Sequence, residues 1–183
     1  MAIFYTVSYG EFDSTTIELF KDYSLLRCCV LQDFYNGEEV DEVLIKQFPY
    51  GLSAHGLQYV TNPIGQFIDN VWRVEDSQLL EVHLEFVRRL YYPNRPSRFA
   101  SLFGTEDLKS AQQFNRDYRK SSGTIYKVEA SEYYKVDMNW LKMGSTYAGI
   151  NVMANKYWEG QSTLNPFWEI LLQCPVTVLE KVN

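Results

Sequence analysis

The apolar positions of this chain change their period several times along its length. They begin as a β-branched and aromatic run, Ile3-Phe4-Tyr5-Thr6-Val7-Ser8-Tyr9, closed by Gly10, which predicts an opening strand. Residues 14–26 are mixed and read as weakly helical. Val40, Val43, Leu44 and Phe48 then follow the i, i+3, i+4 rule and predict a helix from Glu38 to Phe48, ended by Pro49. The stretch from Phe48 to Tyr59 sets two glycines and a proline among rings and fits neither period, so it reads as a loop of the kind that lines sites. From Glu75 the period is helical, with Leu79, His83, Phe86, Val87 and Leu90 on one apolar face and Pro93 closing the helix.

Ser97 to Gly104 reads as a strand. Thr105 is placed to cap a following helix, whose inward positions are Leu108, Ala111, Phe114 and Tyr118. Strands follow at Thr124 to Val128 and Tyr133 to Met138. A helix over 145–158 has Tyr147, Ala148, Ile150, Ala154 and Trp158 as its buried set, and two short strands, Glu169 to Leu172 and Val176 to Leu179, end the chain. Strands and helices mix without a βαβ period or a repeat, so the class is α+β: a split, twisted, mostly antiparallel β core with surrounding helices, in one domain over 1–183.

Composition narrows the partners. The 183 residues are 46% hydrophobic, enough for a sizeable core. A net charge of −6 argues against a protein that holds nucleic acid mainly by covering phosphates. No apolar run approaches the ~20 residues of a membrane span, and the N-terminus has no signal-peptide pattern, so a cytoplasmic protein is expected. Cys28, Cys29 and Cys174 form neither a disulfide framework nor a metal-ligand spacing. With only two histidines, His55 and His83, no metal site is expected. His83, on an apolar helix face, reads as a core histidine.

No phosphate-cradling glycine loop, nucleophile elbow or paired-cysteine site occurs. What draws attention is one carboxylate, Glu169, opening the apolar run Ile170-Leu171-Leu172. A charge in a buried-looking strand is costly unless paired or used. The cluster Arg88, Arg89, Arg95 and Arg98 reads either as a solvated helix end or as an anion site.

The stretches Phe48-Pro49-Tyr50-Gly51-Leu52-Ser53-Ala54-His55-Gly56, Pro96-Ser97-Arg98-Phe99-Ala100-Ser101, Asp137-Met138-Asn139-Trp140-Leu141, Tyr157-Trp158-Glu159-Gly160 and Trp168-Glu169-Ile170-Leu171-Leu172 resemble a bacterial and phage domain family associated with the ADP-ribosyltransferase superfold. The resemblance spans nearly the whole chain. It implies a mono-ADP-ribosyltransferase that uses NAD as substrate and modifies a protein or nucleic-acid acceptor. In it Glu169 is the catalytic carboxylate beside the ribose. Ser101 holds the nicotinamide-ribose side, Arg98 meets the pyrophosphate, and Tyr126 is a stacking surface. Thr6 stands at the first-strand position where His or Arg is usual, and Arg98 or His55 would compensate. Phe167, two residues before Glu169, departs from the Glu or Gln of arginine-modifying transferases. A catalytically silent member of the fold that binds a protein or nucleotide is the alternative implied by Thr6, and an interaction protein using exposed aromatics is a third reading.

Overall fold

The computed structural model describes residues 1–24, 37–62, 65–142 and 144–182. Cys28 and Cys29, and the end of the 14–26 segment, lie outside the described residues. Two separate antiparallel sheets form the β core. The first joins β1 (Ala2–Ser8), β6 (Thr124–Ala130), β9 (Val176–Val182) and β2 (Thr16–Ile17) in the order β1-β6-β9-β2. The second places β8 (Trp168–Gln173) between β5 (Ser101–Gly104) and β7 (Tyr133–Asp137). The sheets touch at their edges, where Tyr5 and Thr105 exchange backbone hydrogen bonds of 2.9 and 2.8 Å. Among the described residues five helices accompany them: α1 (Gly37–Gln47), α2 (Ala54–Thr61), α3 (Asp76–Tyr91), α4 (Leu108–Arg119) and α5 (Tyr147–Glu159). A hairpin of β3 (Gly65–Ile68) and β4 (Val71–Val74) turns on Asp69 and Asn70, both at positive φ, the conformation a two-residue hairpin loop requires. The architecture is α+β, as the mixed periods predict.

Strand β8 explains why its sequence is almost wholly apolar: it is covered on both faces. Ile170 and Leu172 pack with Phe4, Tyr126, Val128, Ala130 and Val176 between the two sheets. Leu171 faces the other way, onto Leu84 and Val87 of α3 and Ala154, Tyr157 and Trp158 of α5. Full burial of each such side chain stabilises by roughly 1.5–3 kcal/mol. Strand alternation puts Glu169 on the Leu171 face, beneath α3 and α5. A third cluster, Tyr23, Leu44, Phe48, Leu52 and Phe99, seats α1 against a 3₁₀ turn at Arg98–Ala100.

Several local expectations are corrected. The loop expected to run to Tyr59 ends at Ser53, whose hydroxyl caps α2 by accepting from the Gly56 amide at 3.2 Å. Gly56 lies inside that helix because a Cβ there would come within 2.0 Å of the Phe99 carbonyl oxygen. The weakly helical 14–26 segment contains the short strand β2 instead. The first half of the expected Ser97–Gly104 strand is the 3₁₀ turn, and α4 is capped by Asp107 rather than Thr105. Tyr147 is 80% exposed, and Tyr118 is also exposed.

The largest correction concerns α3. Phe86 and Leu90, expected inside, are 62% and 71% exposed, and the buried stripe is Gln78, Glu81, Leu84, Glu85 and Val87. Two carboxylates one turn apart therefore point into the protein. Arg98, from outside the helix, makes this tolerable for Glu81, and Arg88 and Arg89, on the helix itself, make it so for Glu85.

Candidate functional site

The 3₁₀ turn at Arg98–Ala100 is fixed before its side chain is considered. The Ser97 hydroxyl accepts from the Phe99 amide at 3.2 Å, and the Ser101 hydroxyl donates to the Ser97 carbonyl at 2.7 Å. The Ser53 amide and hydroxyl donate to the Phe99 carbonyl at 2.8 and 3.1 Å. Arg98 is thereby aimed inward and is 5% exposed. Its Nε donates to Glu81 Oε2 at 2.8 Å and its Nη2 to Glu81 Oε1 at 2.7 Å, a planar fork meeting both oxygens. Its Nη1 donates to Glu169 Oε1 and to the Tyr157 hydroxyl. Tyr157 in turn donates to Glu169 Oε1 at 3.0 Å. The guanidinium also lies over the rings of Phe103, at 4.6 Å, and Tyr157, at 5.4 Å.

The electrostatics follow from burial opposed by pairing. Burial would raise the Glu81 carboxyl, but the charge and hydrogen bonds of Arg98, with His55, overcome it and hold it at about 2. Burial works against the Arg98 charge too, yet Glu169 and Glu81 keep that guanidinium more firmly protonated than an exposed arginine. Burial likewise pushes the Tyr157 phenol well up, so it stays a neutral donor.

His55 joins from α2. Its Nε2 lies 3.3 Å from Glu81 Oε1, close enough for an ion pair, although the N–H is not aligned for a good hydrogen bond. Its ring stands between Tyr59, at 4.6 Å, and Phe103, at 4.5 Å. Glu169 is 8% exposed. Oε1 takes both donors, while Oε2 accepts no hydrogen bond among the described residues. One oxygen is thus held by two donors, and the other has no hydrogen-bond partner among the described residues.

The stretch leading into β8 is set by Asp137. Its carboxylate accepts from the amides of Asn139 at 3.0 Å, Thr163 at 2.8 Å and Phe167 at 3.0 Å, and from the Thr163 hydroxyl at 2.6 Å. Burial would raise the Asp137 carboxyl, and these bonds bring it below its ordinary value. A cavity of about 530 Å³ opens beside this stretch, between Tyr118 of α4 and Asn139, Leu164 and Phe167.

Of the residues singled out in the sequence, Glu169, Arg98 and His55 come together in one cluster. The other three are occupied elsewhere. Thr6 is buried, and its hydroxyl donates to the Phe103 carbonyl at 2.7 Å. Tyr126 is buried between the sheets with its ring 4.7 Å from Phe12. Ser101 is buried and braces the Arg98 turn. Arg98 itself is committed to two carboxylates, which removes the pyrophosphate role given to it. Within the arginine cluster Arg88 and Arg89 grip Glu85 at 2.7–2.9 Å, while the exposed Arg95 lies over Tyr134. Glu81 and Tyr157 escaped the sequence reading. The signal for Glu81 was its spacing from Glu85, which puts both on one helix stripe with Leu84. Tyr157 lay within a recognised stretch but carried no role.

Among the described residues no group of three or more His, Cys, Asp or Glu side chains is placed to hold a metal ion, and no helix is long and apolar enough to cross a membrane. No curated protein matches the chain. Residues 16–183, the part that carries β2 and every element after it, including each member of the Arg98 cluster, match the family model described as protein of unknown function (DUF2441), and the chain belongs to that family.

Proposed function

We propose that the chain is an NAD-dependent mono-ADP-ribosyltransferase with Glu169 as its catalytic carboxylate. The observation that carries this reading is the state of Glu169: a late-strand carboxylate with Oε1 locked by Arg98 and Tyr157 and Oε2 without a partner among the described residues. Breaking the bond between ribose C1′ and nicotinamide sends the bonding pair to the leaving ring and leaves an oxocarbenium-like cation. A fixed carboxylate oxygen stabilises that charge and accepts a hydrogen bond from a ribose hydroxyl. An acceptor nucleophile on a protein or nucleic acid then bonds to C1′ and loses its proton. Arg98 and Tyr157 act as positioning residues, since they hold the oxygen that does not face the ligand. His55, Tyr59 and Phe103 supply an aromatic wall beside the cluster.

A second reading, a catalytically silent module that binds a nucleotide, is favoured by one observation. Thr6, at the first-strand position where a cofactor-gripping His or Arg is usual, spends its hydroxyl on Phe103.

Nicotinamide release from NAD by the wild type and Glu169→Gln separates the two. Loss of turnover in Glu169→Gln at an almost unchanged melting temperature supports the transferase, because the amide keeps an acceptor for Tyr157 while Arg98 keeps Glu81. Turnover equal to wild type in the variant refutes the role of Glu169. NAD binding by the wild type without nicotinamide release selects the silent module.

A further inference from the structure

Among the described residues, the cluster beneath α3 has no arginine or lysine left for an anionic ligand. Arg98 holds both oxygens of Glu81 with Nε and Nη2, and Glu169 and Tyr157 with Nη1. One guanidinium set against two carboxylates repels a phosphate rather than attracting it.

Arg119, in the last turn of α4, is in a different state. Its guanidinium lies 4.3 Å over the Tyr9 ring and 5.7 Å over Phe114. Among the described residues no carboxylate comes within 4.0 Å of it and no protein acceptor takes its N–H groups. Such a half-buried arginine, oriented by two rings and unspent, is unlike the paired Arg88, Arg89 and Arg98. It also stands near the candidate site. Tyr118, its chain neighbour, stacks on Phe167 at 6.0 Å, and Glu169 follows two residues later. Burial raises the Tyr59 phenol, with Glu81 adding to the rise, and the charges of Arg98 and Arg119 both oppose it. Tyr59 is thus within electrostatic reach of both arginines, and it packs on His55, which touches Glu81.

We infer that Arg119 is an anion anchor at the end of α4, taking the diphosphate of a nucleotide, with the exposed Tyr9 ring beside it for the base. The identity of that nucleotide as NAD rests on the transferase reading; the diphosphate rests on Arg119 alone.

Calorimetric titration with inorganic pyrophosphate, ADP and NAD tests this on the wild type, Arg119→Ala, Arg119→Lys and Arg116→Ala. Arg116 is an exposed neighbour already beside Asp117 and serves as the charge control. The expected result is pyrophosphate and ADP binding by the wild type, weakened about tenfold or more in Arg119→Ala. Arg119→Lys recovers only part of it, because the planar fork is lost, and Arg116→Ala is unchanged. Arg119→Gln, which keeps most of the stem over Tyr9, replaces the alanine variant if that one loses its fold. Failure of the wild type to bind pyrophosphate or ADP overturns the inference, as does equal binding by Arg119→Ala, or equal weakening by Arg116→Ala. Pyrophosphate held through Arg119 with no binding of NAD keeps the anchor and defeats the transferase. NAD turnover with unchanged KM in Arg119→Ala does the reverse.

Discussion

Replacing Arg98 by Met keeps a long apolar stem in place and removes the one charge that two buried carboxylates share. Four of the polar contacts around the cluster go with it, two to Glu81, one to Glu169 and one to Tyr157. Breaking a buried ion pair from one side costs about 3–5 kcal/mol, because the remaining charge stays desolvated. Titration gives a second route to the size of the effect. Glu81 held at about 2 against an ordinary 4.5 is worth about 3 kcal/mol at neutral pH. Against a typical total of about 5–15 kcal/mol, either figure should move a denaturation midpoint far. The pH dependence carries the sharper signature. In the wild type the folded Glu81 value lies below the unfolded one, so its contribution is full above pH 4.5 and is lost as pH falls towards 2. In Arg98→Met burial acts on Glu81 without its cation and lifts the carboxyl above its unfolded value, so stability rises as pH falls through that range. Urea denaturation at intervals between pH 3 and 7 reads both slopes. Adding Glu81→Gln and Glu169→Gln to Arg98→Met removes the stranded charges and should restore most of the loss. Parallel pH curves for wild type and Arg98→Met, or a loss below about 1 kcal/mol at pH 7, would refute the account of the cluster as a mutually dependent set.

Thr6→Val removes the hydroxyl that meets the Phe103 carbonyl while keeping the shape, so it should cost about 1 kcal/mol in denaturation and leave nicotinamide release unchanged. A large fall in turnover at an intact melting temperature would instead return Thr6 to the site. Asp137→Asn weakens an acceptor of three backbone amides and a hydroxyl, and should cost about 1.5–3 kcal/mol at pH 7. Because the folded Asp137 carboxyl lies below its ordinary value, that contribution fades on acidification, so the gap from wild type should narrow at pH 3. The amides of Thr163 and Phe167 should exchange faster in the variant; a gap that widens in acid, with exchange unchanged, would contradict the role.

Strands β1, β6, β7, β8 and β9 were legible because each carries its own evidence, whereas the short β2, β3 and β4 were not predicted. β1, β6 and β8 are β-branched, aromatic or continuously apolar, and a strand covered on both faces needs no long-range information to be recognised. Helix α3 was legible as a helix but not in its orientation. Its period offers two stripes, and the one with Phe86 and Leu90 is the more hydrophobic. The choice between them is made by Arg98, seventeen residues beyond Glu81, and by Arg88, Arg89 and Ser97 around Glu85. The Glu85 pairs are local, but no local pattern contains the pairing of Glu81 with Arg98. Helix α2 was hidden for a related reason: Gly56 reads as a loop signal, whereas it marks the close approach of the helix to the Phe99 carbonyl. Glu169 stood out because a single charge in an apolar strand is conspicuous, and Glu81 did not, because a glutamate in a helix is ordinary. Arg98 was found and misassigned, since its type suggests anion binding and only the fold shows which anions it already holds.

The inverted face of α3 has a consequence for the order of assembly. A helix that docks through leucines can settle on a half-formed sheet early and adjust later. Docking α3 before the turn at Arg98–Ala100 is in place would instead strand the Glu81 carboxylate in apolar surroundings, at a cost comparable to everything Leu84 and Val87 gain by burial. Glu85 escapes this constraint because Arg88 and Arg89 travel on the same helix. The sheets can therefore close first around β8, with α3 locking down only when Arg98, threaded from the segment before β5, arrives at the same moment. The ion pair thus couples the docking of α3 to the placement of the Arg98 turn, two stretches of chain that no backbone pairing joins.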